Sequence, residues 1–231
     1  MGRVFPQVLL ARPSGPRTPR LHRAAGSSGE GRSSGHVAAG PVPWDNLATL
    51  MSAPLKTKLD YDDLATAPED GNRYELLDGD LFVTPAPSPQ HQRASKRLQR
   101  QLEHYFEERG LGEVFNAPLD VILTRRDVVE PDLVVVADAQ QISARGIEGA
   151  PMLVVEILSP STAQHDRTVK AKRYEATGVP HYWVVDLDAR RLDCYRLTDH
   201  QYVLAVSITG DEPFEHPDWS GLQIDPGVLW S

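Results

Sequence analysis

The chain has 231 residues, a formal net charge of −8 and a single cysteine, Cys194. No apolar run approaches the roughly 18 residues that a membrane-spanning helix requires, so the sequence excludes a protein that crosses a membrane with helices. One cysteine excludes an internal disulfide framework and a cysteine-based zinc site. The acidic balance argues against a generic basic nucleic-acid-binding protein.

Residues 1–50 differ in composition from the remainder. They contain six Arg, no Lys and two acidic residues, a formal net charge of +4, whereas residues 51–231 carry −12. Because this segment is rich in Arg, Gly, Ser and Pro and has no helical or strand periodicity, we predict that it is disordered. It is either a transit-peptide-like leader or an extension upstream of a true start at Met51. We expect residues 51–231 to form a single domain.

The first elements predicted in that domain are a short helix and a hairpin. Asp60 is suited to cap a helix over residues 60–64. Two strand-like runs, Arg73–Leu77 and Asp80–Thr84, flank the dipeptide Asp78-Gly79. An Asp-Gly dipeptide between such runs is a strong hairpin signal.

Residues 88–109 predict a long helix, and Gly110 is suited to end it. Its apolar residues recur at spacings of three or four, which is typical of a helix that buries one face. These residues are Ala94, Leu98, Leu102, Tyr105 and Phe106.

The remainder alternates strands with one further helix, predicted over residues 162–177 and ended by Gly178 and Pro180. The strands are predicted over residues 113–116, 119–123, 132–136, 152–157, 181–186, 192–197 and 202–208. Three of these runs are almost wholly apolar and β-branched, which is typical of strands covered on both faces by other elements. The pattern indicates a mixed α/β protein. The tail from residue 211 contains Trp219 and Trp230 but gives no clear pattern.

Two acidic residues interrupt the two most apolar strands. If residues 132–136 and 152–157 pair antiparallel with Asp132 opposite Glu156, then Val134 faces Val154 and residues 137–151 form the connection. Opposed side chains lie about 4.5–5.5 Å apart at Cβ, so the two carboxylates would converge. Because ionised carboxylates repel each other, this arrangement predicts a divalent cation such as Mg²⁺ between them. Alternatively, one acid caps a strand end or pairs with an arginine.

A cation follows the second acid on the predicted helix. Asp166, Lys170 and Tyr174 recur every four residues and so lie along one helix face. Lys170 is placed to supply a point charge near a reacting phosphate. The alternative is an ordinary Asp166–Lys170 ion pair on a solvated face.

Several segments together resemble the Uma-type restriction endonuclease family, a bacterial branch of the PD-(D/E)XK nuclease superfamily. They are RYELLDG at 73–79, EPDLVVV at 130–136, LVVEILSPST at 153–162, the Asp166-to-Tyr174 pattern, and GVPHYWVVD at 178–186. The resemblance covers roughly residues 55–229. It implies a restriction-endonuclease-like core, with a central mixed β-sheet flanked by helices and an N-terminal hairpin. It also implies Mg²⁺- or Mn²⁺-dependent hydrolysis of DNA by a cytoplasmic homodimer.

The same resemblance assigns the metal ligands and the catalytic lysine. Asp132 and Glu156 would be side-chain ligands of the metal, and the carbonyl of Ile157 would be a backbone ligand. Leu158 stands where the superfamily usually has its lysine, so the resemblance points to Lys170 on the following helix. Lys172 is a weaker candidate for the same role.

Two further residues match the family pattern, each with two interpretations. Glu75 is either an auxiliary acid near the metal or an exposed hairpin residue. His91 either orients a phosphate or caps the long helix. Two locally basic segments could contact DNA phosphates; they contain Arg93, Lys96, Arg97 and Arg100, and Arg167, Lys170, Lys172 and Arg173.

Two other functions stay open on sequence grounds. One is a catalytically degenerate member that binds nucleic acid or a protein. The other is a different metal-dependent phosphohydrolase that acts on nucleotides or RNA. For the homodimer that the resemblance implies, residues 192–208 and the C-terminal tryptophans are candidates for a self-complementary surface.

Overall fold

The computed structural model describes residues 58–68, 71–159, 163 and 166–231, and the predictions for residues 1–50 and Met51 lie outside them. Helices occupy little of the described chain. They are α1 (Tyr61–Leu64), α2 (Pro89–Phe106), α3 (Ala171–Thr177) and α4 (Gly227–Trp230), with a π-helical segment over Asp166–Lys170 and a 3₁₀ turn over Ala139–Gln141. In the described residues, none of the helices combines the length and apolarity needed to span a membrane.

Fourteen strands form the rest of the framework in the described residues. In the first half of the chain they are β1 (Arg73–Leu77), β2 (Asp80–Thr84), β3 (Glu113–Asn116), β4 (Val121–Thr124), β5 (Asp127–Val129), β6 (Leu133–Val136), β7 (Ile142–Ser143) and β8 (Gly146–Glu148). In the second half they are β9 (Leu153–Ile157), β10 (His181–Asp186), β11 (Arg191–Thr198), β12 (Gln201–Thr209), β13 (Phe214–Glu215) and β14 (Gln223–Ile224).

The strands divide between two six-stranded sheets, ordered β2-β1-β5-β4-β8-β7 and β12-β11-β10-β9-β6-β3, while β13 pairs with β14. Each six-stranded sheet is mixed, because β4–β8 and β9–β10 are parallel pairs among antiparallel ones. The mixed α/β class is therefore confirmed. The expectation of one central sheet flanked by helices is corrected, because the N-terminal hairpin belongs to a separate sheet with β4 and β5.

The register predicted for the two acid-bearing strands is confirmed. β6 and β9 pair antiparallel, with Val134 opposite Val154 and Leu133 opposite Val155. Continuing that register by one residue sets Asp132 opposite Glu156. The apolar run and the position of the acids within it were sufficient to fix this pairing.

Both faces of the second sheet are buried along β6, β9 and β10, as the continuous apolar runs predicted. Val155 and Trp183 belong to the core cluster that contains the buried face of α2. Their strand neighbours Val154 and Val184 belong to a second cluster, which contains Tyr174 of α3 and residues of the first sheet. Successive side chains of one strand point to opposite faces, so the strands of this sheet separate the two cores.

Helix α2 begins and buries its face as predicted. The side chain of Ser88 accepts a hydrogen bond from the backbone N–H of His91, and Pro89 takes the first helical position. The helix ends at Phe106, three residues before the predicted end. The chain turns there because the N–H of Leu111 bonds to the carbonyl of Phe106 and Gly110 adopts a φ of 66°.

Residues 137–151 are more structured than the predicted connection. They contain the 3₁₀ turn and the hairpin of β7 and β8. Gly146 has a φ of 132°, and a Cβ there would collide with the carbonyl oxygen of Asp120. The glycines that indicated a loop therefore also permit a close approach of this hairpin to the first sheet.

The C-terminal tryptophans belong to the domain's own core. Trp230 is buried and donates a hydrogen bond from Nε1 to the carbonyl of Gly210, and Trp219 packs against Phe106. Leu192 and Cys194 are also buried. Val203 and Leu204 of β12, in the same predicted surface, are exposed. The homodimer therefore stays a prediction.

Candidate active site

A cavity of about 400 Å³ opens where β1, the start of α2, the ends of β6 and β9 and the π-helical segment meet. All five predicted site residues line it, together with two basic residues that contact the acids. The predicted residues are Glu75, Asp132, Glu156, Ile157 and Lys170. The basic residues are Arg73 and His91. Five elements from different parts of the sequence therefore contribute to one site.

Asp132 is held by three donors from different parts of the chain. Its Oδ2 accepts a 2.8 Å hydrogen bond from the backbone N–H of Ile157, and its Oδ1 accepts one of 3.0 Å from Arg73. His91 Nε2 lies 3.0 Å from Oδ2. Burial alone would raise the pKa of this carboxyl, but His91, Arg73 and the Ile157 N–H stabilise its charged form and lower the pKa. The alternative interpretation from the sequence, in which one of the two acids pairs with an arginine, is therefore also observed, at Asp132.

His91 contacts two of the predicted metal ligands, the carboxylate of Asp132 and the carbonyl of Ile157. Its Nε2 lies 2.9 Å from the carbonyl oxygen of Ile157 as well as 3.0 Å from Asp132 Oδ2. With two acceptors beside it, Nε2 carries the proton and donates to both. Within the described residues, the buried Nδ1 has no hydrogen-bond partner. The expectation that His91 caps the helix is corrected, because the Ser88 side chain is the cap. His91 precedes Ala94 by three residues and therefore falls on the buried face of α2. This spacing was the signal in the sequence that His91 is buried.

Lys170 is buried among carboxylates, with 4% of its surface exposed. Its Nζ lies 2.8 Å from Glu75 Oε1, 3.0 Å from Glu156 Oε1 and 3.8 Å from Asp166 Oδ1. Burial opposes the charge, but the carboxylates of Glu156, Glu75 and Asp166 outweigh it and raise the pKa of Lys170 well above its ordinary value. The alternative of a solvated Asp166–Lys170 pair is wrong, because the helix packs this face against the sheet.

The π-helical segment brings Asp166 and Lys170 to the same buried side. A π-helix has a wider turn than an α-helix and is frequent at functional sites. One α-helical turn later, the hydroxyl of Tyr174 donates a 2.7 Å hydrogen bond to Glu156 Oε1. The four-residue spacing in the sequence thus places Lys170 and Tyr174 against Glu156, and Asp166 against Lys170.

Glu156 is surrounded by other acids. Burial, followed by the charges of Asp166, Asp132 and Glu75, raises its pKa to about 8, although Lys170 acts in the opposite direction. Lys170 and Tyr174 both donate to Oε1. Within the described residues no donor contacts Oε2, so this oxygen is available to a cation in the cavity.

Glu75 is 1% exposed, so the alternative of an exposed hairpin residue is wrong. Its Oε1 accepts a 2.9 Å hydrogen bond from the backbone N–H of Glu130 and also contacts Lys170. The hairpin therefore supplies one of the acids that hold the lysine.

The charges around the cavity match a divalent cation. Four buried carboxyl groups face two permanently cationic side chains if His91 is neutral, so ionising all four leaves two negative charges without a counter-charge. The acids are Glu75, Asp132, Glu156 and Asp166, and the cations are Arg73 and Lys170. Oxygen-rich sites with one or two carboxylates are typical of Mg²⁺.

The donor set fits such an ion only if a backbone carbonyl takes part. In the described part of the chain, no three His, Cys, Asp or Glu side chains are arranged to hold a metal ion by themselves. The carbonyl of Ile157 is the candidate for the missing donor; it and Asp132 Oδ2 both accept from His91 Nε2, so an ion bound by both would share them with the imidazole. Leu158, two residues after Glu156, is buried and carries no charge to the site.

The second basic segment is largely neutralised by ion pairs. Arg173 makes two 2.7 Å hydrogen bonds to the carboxylate of Asp127, and Arg167 pairs with Asp186 at 2.9 Å. Lys172 is exposed and lies outside the cavity, so it does not share the position of Lys170. The cavity lining includes Lys170 and not Lys172, a difference that the spacing in the sequence does not show.

The first basic segment is mostly exposed. Arg93, Lys96 and Arg100 have no ion pair to any described residue, whereas Arg97 donates to the carbonyl of Val228. The segment therefore keeps most of its charge at the surface, and its contact with DNA stays a prediction.

The chain is similar to proteins described as nucleases. Residues 60–226 match the model of the Uma2 family, which is described as a putative restriction endonuclease. The uncharacterized protein slr1290 of Synechocystis sp. is 28% identical over 129 residues, which are 55% of this chain and 67% of that protein. A crystal structure of a putative nuclease belonging to DUF820 from Anabaena variabilis matches with a TM-score of 0.60 and 19% identity, over 74% of this chain and 97% of that one. This structural match shows a shared fold.

Proposed function

The chain belongs to the Uma2 family, and we propose that it is a metal-dependent endonuclease that hydrolyses DNA phosphodiester bonds. The observation that carries this proposal is the convergence of Asp132, Glu156, the Ile157 carbonyl and Lys170 on one cavity. Two carboxylates beside a carbonyl and a buried lysine form an arrangement suited to phosphodiester hydrolysis.

Asp132, Glu156 and the carbonyl of Ile157 would hold Mg²⁺ or Mn²⁺. Such an ion lowers the pKa of a water molecule and neutralises charge on a phosphoryl group. The residues around it orient the ligands: the Ile157 N–H and Arg73 hold Asp132, and Lys170 and Tyr174 hold Glu156. Fixed ligand orientation of this kind supports metal affinity.

Lys170 keeps its proton throughout neutral pH because three carboxylates surround it. It therefore acts as a fixed positive charge that stabilises the charge developing on the scissile phosphate, and it is not the base that accepts a proton from water. Glu75 positions the ammonium group through its 2.8 Å contact.

Cleavage of supercoiled plasmid DNA tests the proposal. The wild type is assayed with Mg²⁺, with Mn²⁺ and with EDTA, beside Glu156→Gln and Lys170→Ala. Glu148→Gln is the matched control, because this acid is half-buried on β8, lies outside the cavity and pairs with Arg145. We expect metal-dependent nicking by the wild type and the control, and a loss of about 100-fold or more in the two site variants. No cleavage by the wild type, or equal cleavage by all four proteins, would refute the proposal.

The substrate is tested in the same assay. Labelled RNA and free nucleotides are incubated under the conditions that give plasmid cleavage. We expect the rate on DNA to exceed the rate on either, and the reverse order would assign the site to a different phosphohydrolase.

A further inference from the structure

A second cavity of about 420 Å³ lies beside the helical segment 166–177, between that segment and strands β10, β11 and β12. We call it the tyrosine groove. Its lining includes Arg167, Lys172 and Glu175 of the helical segment and Tyr182, Tyr195 and Tyr202 of the strands. Asp166 and Lys170 of the same helical segment line the candidate active site instead. One short segment therefore presents different residues to two cavities.

Three aromatic rings form the sheet side of the groove. The ring centroid of Tyr182 lies 6.2 Å from that of Tyr195 and 5.6 Å from that of Tyr202. The hydroxyl of Tyr182 donates to the carbonyl of Asp166, and that of Tyr202 donates to the carbonyl of Val179. These bonds fix two of the rings. Tyr195 and Tyr202 are half-buried, so each keeps ring surface accessible.

The groove is lined by two cations and one carboxylate, of which only Arg167 forms ion pairs with described residues. Arg167 pairs with Asp186 and Asp193, and the carboxylate of Glu175 accepts a 2.6 Å hydrogen bond from the backbone N–H of Tyr202. Lys172 is exposed and forms no ion pair with any described residue. The groove thus offers flat aromatic surface next to a single available ammonium group.

We propose that the tyrosine groove binds one nucleotide unit, with the base stacked on Tyr195 and Tyr202 and the phosphate at Lys172. Aromatic side chains beside a basic group are the usual means by which proteins bind unpaired nucleotides without reading their sequence. The volume suits one base and its sugar, since small-molecule sites begin at about 300 Å³. The unit comes either from a free nucleotide or from an unpaired stretch of the substrate strand, and only the second source rests on the proposed function.

Binding is measured in EDTA, so that no cleavage occurs. The probes are fluorescein-labelled single-stranded dT10, followed by anisotropy, and dTMP, followed by calorimetry. The variants are Tyr195→Ala and Lys172→Ala. Tyr195→Phe is the matched control for the ring, and Arg126→Ala, an exposed cation in the β4–β5 turn, is the matched control for charge.

We expect Tyr195→Ala to weaken dT10 binding about five-fold or more, while Tyr195→Phe binds like the wild type. Lys172→Ala should lower the slope of log affinity against log salt by about 0.7, which corresponds to one lost phosphate contact on a single strand. Arg126→Ala should leave both quantities unchanged. Because Lys172 is exposed, its variant reports on binding even if Tyr195→Ala were to unfold.

The two probes separate the sources. Binding of dTMP that Tyr195→Ala weakens assigns the groove to a free nucleotide, and dependence on Tyr195 with dT10 alone assigns it to a strand. Failure of the wild type to bind either probe, or equal affinity of the wild type and both variants, overturns the inference. Plasmid cleavage is scored separately. A protein that cleaves DNA but binds independently of the groove refutes only this inference, and groove-dependent binding without cleavage refutes only the proposed function.

Discussion

The Nζ of Lys170 lies 3.0 Å from Oε1 of Glu156, and both side chains are buried. The pair connects the helical segment to the centre of the second sheet. Removing a buried lysine leaves carboxylates without their counter-ion, and this type of loss is among the most destabilising single changes. The pair therefore affects both the stability of the fold and the chemistry of the site.

We expect Lys170→Met to lower the free energy of unfolding of the metal-free protein by about 3–5 kcal/mol. Adding Glu156→Gln to this variant should recover part of the loss, because without Lys170 the buried Glu156 must stay protonated at neutral pH, which costs free energy that Gln does not. Urea unfolding of the wild type, both single variants and the double variant measures the coupling. Lys172→Met, at an exposed lysine, is the control and should change stability by less than about 0.5 kcal/mol. Additive effects of the two site substitutions would contradict the expectation.

The stability of the metal-free protein should depend on pH through Glu156. Its pKa is raised to about 8 from the ordinary value of 4.5. Between these values the carboxyl holds a proton in the folded chain but not in the unfolded chain, so the free energy of unfolding should fall as pH rises through this range. The fall contributed by this group is at most about 1.4 kcal/mol per pH unit.

Denaturant unfolding in EDTA at several pH values between 5 and 8 tests this dependence. Glu156→Gln cannot titrate, so the difference between wild type and variant isolates the contribution of this residue. A difference that stays constant across the range would contradict the pKa shift.

Binding of Mg²⁺ at pH 7 should release about one proton. The carboxyl of Glu156 is mostly protonated at this pH, and a cation at the site requires its charged form. Calorimetric titrations in two buffers of different ionisation enthalpy give the number of protons released. Glu156→Gln should bind Mg²⁺ more weakly and release almost none, whereas binding by the wild type without proton release would contradict the assigned ligand.

Arg173 should matter for folding and not for contact with DNA. Its two hydrogen bonds to the buried Asp127 connect α3 with the first sheet. We expect Arg173→Ala to lower the free energy of unfolding by about 1–3 kcal/mol, measured by urea unfolding. Arg93→Ala, at an exposed arginine of α2, is the control and should change it by less than about 0.5 kcal/mol. Weakened DNA binding by Arg173→Ala with unchanged stability would show that the residue contacts the strand.

Local signals in the sequence predicted the elements that surround the site. Asp78 and Gly79 both adopt positive φ, as a two-residue hairpin turn requires, so the dipeptide was enough to place the hairpin. The apolar runs around Asp132 and Glu156 fixed their register because a slip by one residue would turn every side chain to the wrong face. The convergence of these two acids was therefore predictable from the sequence.

The environment of the same residues was not predictable locally. Lys170 on an isolated helix is compatible with a solvated ion pair, and only the packing of that helix against the sheet buries it with three carboxylates. The contacts of Arg73 and His91 with Asp132 join residues that lie 59 and 41 positions apart. Such pairs leave no periodic pattern in the sequence.

The sequence by itself determined the family resemblance, the strands that carry the acids and their register, because turn chemistry and side-chain alternation act over a few residues. The tertiary structure decided the division into two sheets, the ion pairs that neutralise Arg167 and Arg173, and the cationic partners of each acid. These features depend on which surfaces become buried against each other, and burial determines whether a charged side chain must find a partner.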